Sequence, residues 1–318
     1  MRRVVYLVLV LCLVAGTAFV FHSPPHWLRE ALLTEPAYRA DRLFQREDPN
    51  YDPDIHKLAQ KIEWGDKIAL DDVAWLGERI DQRHGKDITL LFHALSAGNI
   101  AAVDALLAAG ADTSIPDKVS GSDRNFVYYL TLSGGDILDQ PGINRVIASY
   151  LEHGGNPNGT GGLDENGKLL HGLRVVLPEG IALSKNYEGL RMVLAAGADP
   201  WLPVVDKSSG EYSGNAVDAL ARAQAFALLD ELIESGYFDN RSQLELEHFL
   251  TALGGYAQRR DDASREIKRI AMRVLKRNPH YIETATHDVR TPRIFKDHWS
   301  DPEPGEIPWD EIRSDRVK

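Results

Sequence analysis

A seven-residue sequence occurs twice in this chain, as LLAAGAD at residues 106–112 and as VLAAGAD at residues 193–199. Two weaker copies, YLEHGGNPN at 150–158 and LIESGYFDN at 232–240, keep the apolar start and the glycine. The aligned glycines stand 44, 43 and 39 residues apart, at Gly110, Gly154, Gly197 and Gly236. Similar segments at such regular intervals predict a repeat protein, in which each unit buries its apolar side against stacked neighbours.

The residues around each copy predict a unit of two short helices. The glycine suits a helix end, because it adopts the left-handed conformation there without a Cβ clash. The short polar residue that follows, as at Asp112 or Asp199, suits a turn. Ahead of Leu106, the segment at 89–105 has apolar residues at helical spacing on both sides of a break at 98–99.

These residues resemble the ankyrin-repeat family. TLLFHA at 89–94 stands where that family has T-P-L-H-x-A and matches it at Thr89, Leu91 and Ala94. No copy has the proline, and the period exceeds the family's ~33 residues. HEAT-type repeats have periods nearer ~40–47 residues but do not explain the glycine-alanine-aspartate close. The resemblance implies an all-α, ankyrin-like solenoid of about five to six helix pairs with lengthened hairpin fingers.

Three long loops follow the stop glycines, at Ala111–Arg124, Gly155–Lys168 and Ala198–Gly214. In the ankyrin arrangement these loops are the hairpin fingers, and insertions on one edge usually mark the binding edge. Tolerated surface loops explain any single insertion equally well, because long loops cost little closure entropy. The predicted binding residues are two aromatic anchors and an acidic rim: Trp201, Tyr212, Asp117, Asp123, Asp164, Glu165, Asp206 and Glu211. Alternatively, Trp201 packs into the end of the neighbouring repeat.

The N-terminus predicts export. Arg2 and Arg3 precede an uncharged run of 18 residues at 4–21. This run is either a membrane anchor with its positive flank inside or a cleaved signal peptide with small residues at 16–18. We expect the protein in the inner membrane facing the periplasm, or in the periplasm if the segment is cleaved. Contact with the membrane is expected through residues 4–21 only.

The remaining chain is predicted to have three further segments. Residues 22–50 form a spacer or helical lead-in, and residues 51–282 form the ankyrin-like repeat domain. Its capping helices lie at 55–80 and 244–277, and the last of them has a polar outer face. Residues 283–318 form an acidic, proline-containing tail.

Composition and motifs exclude several classes of function. The net charge is −11, which disfavours nucleic acid and favours a basic partner. The single cysteine, Cys12, leaves the body without disulfide or thiol chemistry. There is no HExxH, CxxC or GxSxG motif, so we expect no enzyme activity, cofactor or metal. His93 is predicted to be a helix-surface or inter-repeat residue rather than a ligand.

The predicted function is a non-catalytic protein-binding module exported from the cytoplasm. The chain resembles exported bacterial ankyrin-repeat proteins that accompany secreted effectors. That resemblance implies an immunity or inhibitor protein that binds and neutralises a toxic effector enzyme, and the net charge favours a basic enzyme. The alternative is a periplasmic accessory or scaffold protein that supports another enzyme. An enzyme with an unrecognised site is the third hypothesis.

Overall fold

The computed structural model describes residues 40, 44, 51–85, 87–116, 124–132, 138–161, 175–205, 212–254 and 262–281. The predicted anchor at 4–21 and the predicted tail at 283–318 lie outside these residues. No helix within the described residues is both long enough and apolar enough to cross a bilayer. The chain divides into two compact units. Of the described residues, the first unit contains those up to 130, 138–156 and 161, and the second contains 131–132, 157–160 and those from 175 onward.

The first unit consists of paired helices. Its elements are α1 (Pro53–Glu63), α2 (Leu70–Val73), a 3₁₀ segment (Ala74–Arg79), α3 (Leu90–Ser96), α4 (Ile100–Ala108), α5 (Phe126–Leu130) and α6 (Gln140–Glu152). Helix α3 packs against α1 and α4, and α4 also packs against α2 and α6. Helices α1 and α3 therefore share one layer, while α2, α4 and α6 share another. The predicted helices on both sides of residues 98–99 are confirmed.

The second unit has the same pairing and includes short strands. In strand β1 (Thr160–Gly161), Thr160 belongs to the second unit and Gly161 to the first. The other elements are β2 (Val175–Val176), α7 (Leu177–Leu183), α8 (Tyr187–Ala195), β3 (Val204–Val205), β4 (Tyr212–Gly214), α9 (Ala216–Arg222), α10 (Phe226–Glu234), α11 (Gln243–Gly254) and α12 (Asp262–Arg277). Helix α9 packs between α7 and α11, and α10 packs against α12. Strands β3 and β4 pair antiparallel, which confirms a hairpin in the third predicted finger.

The repeated glycines end the helices as predicted. The φ angles at Gly110, Gly154, Gly197 and Gly236 are 90°, 83°, 93° and 80°. After α4, the amide of Gly110 donates to Leu107 O and the amide of Ala111 donates to Leu106 O. This pair of hydrogen bonds is a Schellman motif, which satisfies carbonyls that the helix end would otherwise leave unpaired. The end of α8 at Gly197 has the same two bonds.

Buried polar side chains connect successive helix pairs. His93 in α3 is 0% exposed, and its Nε2 lies 2.9 Å from Ala59 O in α1. The Nδ2 of Asn99 donates to Ile62 O and to Asp66 O, and its Oδ1 caps α4 at the amide of Ala102. His93 is therefore an inter-repeat residue, which was one of the two positions predicted for it. Together with the helix pairs, these contacts confirm an all-α repeat fold, while the number of repeats stays a prediction.

The closing helix α12 is attached to α10 by both apolar and ionic contacts. Its predicted apolar face is buried, because Ile267, Ile270, Ala271 and Val274 are at most 2% exposed. On its other side, Arg269 donates to Asp230 at 2.8 and 2.6 Å, and Arg273 bonds the same carboxylate. The hydrogen bonds from Arg269 are the main cause of the lowered pKa of Asp230. The polar face of α12 thus also contributes to packing within the second unit.

Candidate functional site

Most of the predicted binding edge lies outside the described residues. The acidic rim residues of the three fingers all do so: Asp117, Asp123, Asp164, Glu165, Asp206 and Glu211. Tyr212 is placed at the start of β4, where its backbone pairs with Val205. The acidic rim and the role of Tyr212 therefore stay predictions.

Trp201 was predicted as an exposed anchor, and that prediction is wrong. Its side chain is 2% exposed, and its indole Nε1 donates to Tyr237 O at 2.8 Å. The rings of Phe238 and Phe249 pack edge-on against it, with centroids 5.1 and 6.1 Å away. Trp201 therefore belongs to the core of the second unit. The alternative interpretation, in which it packs into the neighbouring repeat, is confirmed.

A groove in the first unit offers a different aromatic side chain to solvent. It lies between one face of α1 and the segment formed by α2 and the 3₁₀ turn, and its volume is about 320 Å³. Its lining residues are Asp54, Lys57, Leu58, Lys61, Asp71, Asp72 and Trp75. The four lining residues of α1 have the spacing i, i+3, i+4 and i+7, which places them on one helical face. Leu58 is 5% exposed and forms the apolar floor, whereas the other lining residues are exposed.

Trp75 is held in one orientation although 43% of its surface is exposed. Its indole Nε1 donates to Asp72 O at 2.8 Å. The guanidinium of Arg79 lies 5.2 Å from the ring centroid and is itself bonded to Asp52, the N-cap residue of α1. Large fixed aromatic side chains dominate protein interfaces, because they bury much area at low entropic cost. A solvent-facing tryptophan with these contacts is suited to binding a partner.

The two sides of the groove differ in charge. Helix α1 contributes the carboxylate of Asp54 and the ammonium groups of Lys57 and Lys61, which are one turn apart. The α2 side contributes Asp71 and Asp72, and Asp72 Oδ2 accepts a hydrogen bond from the amide of Ala69 at 2.8 Å. Among the described residues, Lys57, Lys61 and Asp71 have no ion-pair partner for their side chains. Three charges beside Trp75 are thus available to a ligand.

The second unit contains a buried carboxyl group that the sequence did not indicate. Glu179 in the first turn of α7 is 8% exposed, and burial raises its pKa to about 7. Arg222 on the neighbouring helix α9 lowers this pKa in part, and the carboxylate of Asp218 raises it further. Glu179 therefore changes its charge near neutral pH. Its surroundings are those of a packing position, because α7 is buried at the residues on both sides of it.

Metal binding has no support in the described part of the chain. No group of three or more His, Cys, Asp or Glu side chains is arranged there to hold a metal ion. The acids of the groove lie in one lining with two lysines and a tryptophan. Their arrangement suits contacts with charged side chains of a partner.

Comparisons with known proteins found similarity to solved structures. No family model matches the chain, and no curated protein sequence matches it. A crystal structure of an ankyrin repeat domain from Acinetobacter baumannii AYE aligns with a TM-score of 0.38 and 17% sequence identity. The alignment covers 70% of this chain and 98% of that domain. The helix pairs, stop glycines and inter-repeat hydrogen bonds of the chain itself define the repeat fold.

Proposed function

We propose that this protein is a non-catalytic, ankyrin-like module that binds a partner protein at the Trp75 groove. The observation that supports this proposal is that Trp75 is both held in place and exposed. Trp75 is fixed by Asp72 O and Arg79, yet nearly half of its surface is exposed. Burying such a ring in a partner would remove a large apolar area from water without first ordering a mobile side chain.

The partner in this proposal is a toxic effector enzyme, and the chain is its immunity or inhibitor protein outside the cytoplasm. Three features support the proposal. The resemblance of residues 89–112 to ankyrin repeats suggests a protein that acts by binding. The charged N-terminal flank with the apolar run at 4–21 suggests export. A net charge of −11 favours association with a basic enzyme.

Capture of the partner tests this function. The full-length chain, tagged at its C-terminus, is expressed in its native host, cross-linked and solubilised in mild detergent. We expect the wild-type chain to retain an enzyme whose activity it inhibits after purification. Trp75→Ala is expected to lose both capture and inhibition. The matched control is Leu244→Ala, because Leu244 is an exposed apolar residue outside the groove, at 63% exposure.

Three results would separate the possibilities. Equal capture by the wild-type chain and Trp75→Ala would remove the groove from the proposal. Capture of an enzyme whose activity is preserved or raised would indicate an accessory protein. Turnover of a substrate by the purified chain alone would contradict the non-catalytic assignment.

A further inference from the structure

The chemistry of the groove specifies its occupant more narrowly than a protein of any kind. Its volume of about 320 Å³ suits one or two side chains. A typical protein interface covers about 800 Å² on each partner, so the groove would hold the anchor of a larger contact. Pockets for small molecules are mostly enclosed and apolar. Here the apolar contribution is limited to Leu58 and Trp75, and the remaining lining is exposed charge.

The sides of the groove exclude one common mode of peptide binding. An extended peptide gains affinity by pairing with an exposed strand edge. Both sides are helical here, because α1 spans Pro53–Glu63 and α2 with the 3₁₀ segment spans 70–79. A helix that places an apolar side chain in the groove and charged side chains along both of its sides suits this lining.

The charges define the flanks of such a helix. A carboxylate on one flank would meet the ammonium groups of Lys57 and Lys61, and a cation on the opposite flank would meet Asp71. Because these three side chains have no ion-pair partner among the described residues, the new pairs would not have to displace existing ones. Partial burial under the partner strengthens them relative to fully exposed pairs.

We propose that the groove binds an amphipathic helix of the partner protein that carries an apolar anchor between an acidic flank and a basic flank. The anchor packs on Trp75 and Leu58, the acidic flank faces Lys57 and Lys61, and the basic flank faces Asp71. This proposal rests on the proposed function, because it names the partner element that the same groove receives.

Synthetic helical peptides test the proposal against the full-length chain in detergent. Three labelled peptides share a leucine anchor and differ only in their flanks: glutamate with lysine, glutamate on both sides, and lysine on both sides. Fluorescence anisotropy measures their affinities. We expect the mixed peptide to bind at least tenfold more tightly than the other two, and replacement of its leucine by alanine to remove that advantage. A Trp75→Ala chain should bind the mixed peptide at least tenfold more weakly, while its circular dichroism and thermal midpoint match the wild type.

A charge reversal provides the sharper test. In Lys57→Glu/Lys61→Glu, both sides of the groove are acidic, so the preference should move from the mixed peptide to the lysine-flanked peptide. Equal affinity for all three peptides, or no binding of any, would overturn the proposed occupant. Trp75-dependent binding to phosphatidylglycerol vesicles in place of the peptides would overturn it as well. If partner capture from the host still depends on Trp75, such results reject the helix but keep the docking function. If capture does not depend on Trp75 either, the docking function fails too.

Discussion

The φ angle of 93° at Gly197 leaves the C-terminus of α8 dependent on a residue without a Cβ atom. A Cβ at this position would meet nothing within 4 Å, and the same holds at Gly110. The cost of a substitution is therefore backbone strain alone, without a steric clash. We expect Gly110→Val and Gly197→Val each to lower the free energy of unfolding by roughly 1–3 kcal/mol. Urea denaturation followed by circular dichroism measures this free energy.

Asparagine provides the matched control for these glycines, because it tolerates the left-handed region better than valine. Gly110→Asn and Gly197→Asn should cost less than half as much as the valine variants. If valine and asparagine are equally tolerated, the two glycines are not required for the helix ends.

Glu179 should give the second unit a stability that depends on pH. The pKa of its carboxyl is raised by burial from 4.5 in the unfolded chain to about 7 in the folded chain. Between these values the folded state holds a proton that the unfolded state has released, so stability falls as pH rises through 7. One pKa unit corresponds to about 1.4 kcal/mol, so the loss is on the order of 3 kcal/mol between pH 5 and pH 8.

Glu179→Gln tests this effect, because glutamine keeps the shape of the protonated acid and does not titrate. The difference in unfolding free energy between wild type and variant should change with pH and level off above about pH 8. Glu231 is the control acid: Arg191 lowers its pKa through a hydrogen bond, so its contribution is lost at acidic pH. A pH-independent difference for Glu179→Gln would show that burial does not hold the proton.

At the scale of the elements, Trp201 attaches the segment before β3 to the turn after α10 and to α11. Trp201→Ala removes the packing on Phe238 and Phe249, and we expect a loss of about 3–5 kcal/mol of unfolding free energy. Trp201→Phe should cost less, because Tyr237 O keeps its hydrogen bond from Arg241 Nε. Trp75→Ala is the matched control at an exposed tryptophan, and it should change the free energy of unfolding by less than about 1 kcal/mol. Equal losses at Trp75 and Trp201 would contradict the assignment of one to the surface and the other to the core.

The two tryptophans also show how far the sequence could predict the candidate site. Trp75 lies off the apolar stripe of Val73, Leu76 and Ile80, so helical periodicity alone places it on the outer face. Trp201 lies in a loop, where no periodicity exists and only tertiary structure decides between surface and core. Trp201 was predicted as an anchor because it stands in one of the long loops, and its burial follows from contacts that the sequence does not reveal. The raised pKa of Glu179 was equally beyond prediction, because it depends on packing between α7 and α9.

The helices and their ends were predictable because local chemistry determines them. Asn99, Asn186 and Asn215 cap helices through hydrogen bonds to amides only three residues away. The stop glycines act over a similarly short range. The role of His93 required knowledge of the preceding helix pair, since its acceptor lies 34 residues earlier in the chain. Local signals thus specify each helix, and long-range contacts specify how the helices stack.

For the molecule as a whole, export is the property that a fusion experiment tests most directly. Alkaline phosphatase fused after Lys318 should be active, and green fluorescent protein at the same position should stay dark. Replacing Arg2 and Arg3 with glutamate should lower the phosphatase activity, because the positive flank orients the segment at 4–21. Fluorescence of the intact fusion in the cytoplasm would contradict the proposed location.

The hydrogen bonds that join one helix pair to the next have an evolutionary consequence. His93 and Asn99 contact carbonyl oxygens of Ala59, Ile62 and Asp66, and every amino acid presents the same carbonyl. The side chains of the earlier pair can therefore drift without losing these bonds, provided that the backbone keeps its path. A duplicated unit would find acceptors on any older copy. Copies in such a chain can then diverge until little more than a glycine and an apolar residue shows their common origin.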